Sequence, residues 1–87
     1  MSPDRMRREV EAMVAGLLSW AGEEGRIEVR ERLEELASQL AEGVEAAQEA
    51  TADLDSSDRI GLRQAEAAVA VLRAAHDAFK AAQAAIQ

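Results

Sequence analysis

From Ser57 to Gln87 the chain reads SDRIGLRQAEAAVAVLRAAHDAFKAAQAAIQ, with eleven alanines, no proline and one glycine, Gly61, near its start. Alanine has the highest helix propensity, and no residue in the body of the run opposes a helix. At 1.5 Å per residue, about 28 residues make a helix ~42 Å long, the longest element open to this chain. The other segments must fold against it.

Ser2-Pro3-Asp4 predicts a helix start, with Ser2 as N-cap, Pro3 in the first helical position and Asp4 on the positive end of the dipole. Met6, Val10, Met13, Leu17 and Trp20 then recur at 4, 3, 4, 3, widened by Val14 and Leu18, which is one helical face. Gly22 is expected to cap it in the left-handed conformation before a Gly22-Glu23-Glu24-Gly25 turn. A second helix is predicted from about Arg26 to Ala52. Val29, Leu33, Leu36 and Leu40 set its apolar face, and Val44, Ala47, Thr51 and Leu54 continue it after a one-residue shift at Gly43. Glu28 and Arg32 are placed as an i,i+4 pair.

Asp53 to Asp58 form the second turn, with several candidate N-caps. In the last helix Ala65, Ala68, Leu72, Ala75, Phe79, Ala82 and Ile86 make the seam. Arg63, Glu66, Ala70, Arg73, Asp77, Lys80 and Gln87 make the opposite, solvent-facing stripe. Met13, Leu17 and Trp20 are expected to pack against its C-terminal half, Ala67 to Ile86.

Two short turns imply antiparallel neighbours. The expected fold is all-α: one domain over residues 1–87, an antiparallel up-down-up three-helix bundle with helices at about 3–21, 26–52 and 57–86 and a long hairpin of helices two and three. The first helix is too short to cover the whole hairpin, so it leaves the far end, from Val44 to Leu62, without a third helix.

Twenty of the 87 residues are alanine, and Trp20 and Phe79 are the only aromatics, so the core is built from small side chains. The absence of cysteine excludes disulfides, thiolate metal sites and cysteine nucleophiles. No apolar run is long enough for a transmembrane helix, and the charged start does not resemble a secretory signal, so the expected location is the cytoplasm. The net charge of −7 is uneven: zero over residues 1–22, −9 over 23–58 and +2 over 59–87. An acidic middle repels phosphate, so neither nucleic acid nor an acidic membrane is an expected partner. Nine arginines against one lysine, with no asparagine or tyrosine, fit a GC-rich bacterial gene.

The candidate chemistry is thin. His76, the only histidine, sits between Arg73 and Lys80 beside Asp77 on the edge of the seam, and one histidine without cysteine builds neither a triad nor a metal site. Glu31/Glu35, Glu42/Glu45 and Glu45/Glu49 have the spacing of carboxylate metal sites but lie off the apolar face, with no Glu-x-x-His motif. Asp53, Asp55 and Ser57, followed by Arg59-Ile60, resemble part of an EF-hand loop; Asp58 stands where that loop needs glycine, and Gln64 where it needs its bidentate glutamate. Trp20-Ala21-Gly22 resembles the Trp-x-Gly turn of small secreted helical-hairpin proteins of specialised bacterial secretion systems, where the turn lies mid-chain between long helices. Here nineteen residues precede it, and it is read as an anchoring tryptophan followed by a capping glycine. Gly16, Gly43 and Gly61 are read as close helix crossings.

The expected function is a non-catalytic protein–protein interaction module, with no cofactor, no metal and no catalytic residue. It is expected to self-associate or bind a protein partner through the uncovered hairpin end. Val44, Ala47, Ala50, Leu54, Ile60 and Leu62 would be the apolar contact, and Glu42, Glu45 and Glu49 an orienting acidic face. The alternatives are a designed bundle without native function and an acidic, antitoxin-like inhibitor that masks a basic partner.

Overall fold

The computed structural model describes residues 1–86; Gln87, assigned by periodicity to the polar stripe of the last helix, lies outside the described residues. The chain is an all-α, up-down-up three-helix bundle: α1 (Pro3–Ala21), α2 (Arg26–Ala52) and α3 (Arg59–Ala85), with no strand among the described residues.

Local chemistry sets the helix ends. Ser2 Oγ accepts from the backbone N–H of Arg5 at 3.1 Å, with Pro3 opening the helix behind it. Gly22 ends α1 by donating its N–H to the Leu18 carbonyl at 3.1 Å. Its backbone is not the left-handed helical cap expected: φ 67° and ψ −168° fall in a region only glycine occupies at low cost. The turn then folds back so tightly that a Cβ on Gly25 would lie 2.6 Å from that of Ala21. The second turn is held by carboxylates. Asp55 accepts from the Ser57 N–H at 2.9 Å, and Asp58 caps α3 by accepting from the Gly61 N–H at 2.9 Å. That cap is why α3 begins at Arg59 rather than at Ser57.

The core lies toward the first turn. Val10 and Val14 of α1, Leu33 and Ala37 of α2, and Ala75, Ala78 and Phe79 of α3, with Ile86 just past its end, are buried together. Met6, Leu18, Val29, Leu36, Leu40 and Ala82 pack around them half-buried. Each large apolar side chain so buried contributes roughly 1.5–3 kcal/mol, and three of the eight buried residues are alanines that add far less. α3 is the shared element, packing extensively against both other helices, while α1 and α2 touch only slightly.

One sequence expectation is overturned by rotation of α1. The helix turns Met6, Val10, Val14 and Leu18, spaced by four, toward the core, burying the two valines, and turns Met13, Leu17 and Trp20 outward. Two apolar stripes overlap on α1, and the small Ala75 and Ala78 of α3 decide between them. Short valine side chains let the helices approach closely, where an indole would hold them apart. Ala68, placed in the α3 seam, is exposed at the less covered end of that helix. Arg32 pairs with Glu35 at 3.1 Å rather than with Glu28.

The result is a flat rod, 53 × 21 × 15 Å, with a radius of gyration of 15.3 Å. A compact chain of this length would have about 12 Å.

Candidate functional site

Two surfaces follow from that shape, one at each end of the rod. At the hairpin end the residues expected to bind a partner are unequally available. Val44, Ala47 and Leu62 are half-buried, whereas Ala50, Leu54 and Ile60 are exposed, Ile60 to 75%. Glu42, Glu45 and Glu49 are all solvent-facing. Thr51 tightens the last turn of α2 by donating its hydroxyl to the Ala47 carbonyl at 2.7 Å. In the adjoining loop the backbone N–H of Ser57, and then its side chain, hold the Asp55 carboxyl below its ordinary value of 3.8. Residues 42 to 63 carry six acids against Arg59 and Arg63.

The start of α1 borders an open groove of about 590 Å³ on this half of the molecule. Pro3, Asp4 and Arg7 wall it on one side and Gln48 and Thr51 on the other, over Val69, Ala70 and Ala74 of α3. Asp4 and Arg7 form an ion pair at its edge. Across it Gln48 meets Arg73: with the amide oxygen toward α3, it accepts from the guanidinium Nη2 and from Nε at 3.2 Å. Charges of both signs alternate round this groove and most already have a partner, so it offers no concentrated field to a charged ligand.

The second surface is on α1, formed by residues whose periodicity alone points to the core. Met13 is 45% exposed, Leu17 42% and Trp20 87%. At i, i+4 and i+7 they stand on one face of the helix. Gly16 borders that face, three residues after Met13 and four before Trp20, and nothing approaches within 4 Å of the position its Cβ would take. The same holds for Gly43, so neither glycine marks a helix crossing inside the chain; Gly61 is accounted for by the Asp58 cap. Trp20 is therefore no anchor. Ile27, at the start of α2, is also exposed. One signal for this face stands in the sequence: residues 12 to 22, AMVAGLLSWAG, are the longest run without a charged side chain. A chain of net charge −7 that leaves such a run partly in solvent presents its most apolar helical face there.

The chemistry elsewhere is sparse. His76 is half-buried, with Nδ1 3.2 Å from the Asp77 carboxylate, beside a small cleft of about 180 Å³ lined by Glu34, Ser38 and Lys80 among others. Among the described residues no three of His, Asp and Glu converge as a metal site, and no helix is long and apolar enough to cross a membrane. In the stretch that resembles part of an EF-hand loop, the Asp55 carboxylate accepts from the Ser57 N–H and the Asp58 carboxylate caps α3, so both serve the backbone.

Fold and surfaces together define an acidic, flattened three-helix bundle with exposed apolar side chains at both ends. No protein-family model matches the chain, and no curated protein or solved structure does.

Proposed function

We propose that the chain is a non-catalytic helical interaction module that self-associates. The observation that carries this is its surface. The chain exposes 6297 Å². A folded monomer of 9.4 kDa is expected to expose about 5,000 Å². The excess of about 1,300 Å² exceeds the roughly 800 Å² per partner that a standard interface buries. Two ends compete for the contact: the hairpin end with Leu54 and Ile60, and the α1 face with Met13, Leu17 and Trp20. Association that buries either stabilises the fold by mass action, so the melting temperature rises over a hundredfold range of protein concentration. A melting temperature independent of concentration would count against the reading.

The six acids at the hairpin end favour a second reading for that surface alone, the masking of a basic partner. It requires salt-sensitive binding to a cationic amphipathic helix that weakens when Glu42, Glu45 and Glu49 are changed to glutamine. Binding indifferent to those changes excludes it.

A further inference from the structure

We infer that two copies of the chain dimerise through α1, antiparallel about a two-fold axis at Gly16, with Met13, Leu17 and Trp20 of each copy packed against the other. This rests on the self-association proposed above and gives it a surface.

Three independent observations converge on this face. Gly16 is the first. It stands in mid-helix on the exposed side with open space where a side chain would go, so the fold of the single chain gains nothing from it. Glycine there is a cost to the helix that a backbone crossing from a second molecule would explain, because helix axes approach most closely where side chains are smallest. Ala12 and Ala15 beside it are small as well. The second is charge. Two copies of a −7 chain repel, and the hairpin end, with six acids against two arginines, would set net negative charge against itself. The uncharged run from residue 12 to residue 22 is where a second acidic copy approaches at least cost. The third is area. Trp20 alone, at 87% exposure, offers on the order of 200 Å² of an aromatic surface of the kind that anchors interfaces.

Charge also selects the antiparallel arrangement. A parallel pair would stack Glu23 and Glu24 on their own copies. An antiparallel pair keeps those acids at opposite ends of the contact.

Trp20 is the only tryptophan, so its emission reports on this face alone. The experiment follows sedimentation equilibrium and Trp20 emission of the full chain over the same concentrations. The mass is expected to double, and the emission to shift to the blue with the same midpoint. Gly16→Leu, which has open space in the monomer, and Met13→Gln are each expected to raise the dissociation constant by about tenfold or more, while Leu54→Glu leaves it within about twofold. If the mass doubles while Trp20 keeps the emission of an exposed indole, or if Leu54→Glu dissociates the dimer and Gly16→Leu does not, the α1 contact is wrong and self-association stands. If the mass never leaves the monomer value, both are wrong.

Discussion

Val14 and Trp20 lie six residues apart on α1 and at opposite extremes of burial, 4% and 87% exposed. Six residues turn an α-helix by about 600°, a net 120°, so packing Val14 onto α3 carries Trp20 away from the core. The largest side chain in the protein therefore contributes to a surface rather than to the fold.

Stability should divide accordingly. At a concentration where light scattering gives the monomer mass, Trp20→Ser is expected to change unfolding free energy by less than about 0.5 kcal/mol. Leu33→Ala, at the most buried side chain of the bundle, is expected to cost about 2–5 kcal/mol and to leave little folded protein. Urea titrations followed by helical circular dichroism measure both.

The glycines should split in sign. Gly16→Ala and Gly43→Ala meet nothing within 4 Å and are each expected to stabilise the monomer by about 1 kcal/mol. Gly61→Ala presses a methyl group into the Asp58 carboxylate that caps α3, so the cap must open and stability falls. Gly22→Ala places alanine at φ 67°, ψ −168°, a cost of roughly 1–3 kcal/mol. Melting temperatures of the four variants at one low concentration test the pattern.

Acid should loosen the second turn. The Ser57 hydrogen bonds hold the folded Asp55 carboxyl below 3.8, so the unfolded chain binds that proton more readily. The contribution is present in full above the ordinary carboxylate range and is lost as pH falls through the lower folded value. A carboxyl-carbon NMR titration of Asp55 is expected to show a midpoint below 3.8, moving upward in Ser57→Ala. An unmoved midpoint would show that the side-chain donor plays no part.

The acids of α2 should repel measurably. Glu45 has Glu42 three residues before it and Glu49 four after, and all three are exposed. Such like-charge pairs destabilise a helix by about 0.2–0.5 kcal/mol each. Glu45→Gln relieves both, so it is expected to raise the melting temperature at low ionic strength, with the gain fading in high salt as screening does the same work.

The helices, their order and the antiparallel turns were legible in the sequence, because Ser2-Pro3 and the Gly22 to Gly25 turn mark ends by local chemistry that needs no tertiary context. The start of α3 was not, since several residues between Asp53 and Asp58 could have capped it and only the Asp58 hydrogen bond chooses. The buried faces of α2 and of the C-terminal half of α3 were legible too, since Leu33, Ala75 and Phe79 have no rival stripe. The rotation of α1 was not. Met13 and Val14 are adjacent and both apolar, and which one turns inward depends on how closely the alanines of α3 let α1 approach, a property of the pair. For the same reason the α1 surface was hidden: its residues are the ones a periodicity argument assigns to the core. The uncharged run around Gly16 was visible, but only its exposure gives it meaning.

With about 1,300 Å² more surface than a compact monomer of its mass exposes, this chain is expected not to act alone. Light-scattering mass of the unmodified chain across a wide concentration range tests it most directly. The mass is expected to rise from 9.4 kDa to twice that value. A mass that stays at 9.4 kDa at the highest concentration the protein will reach would contradict it.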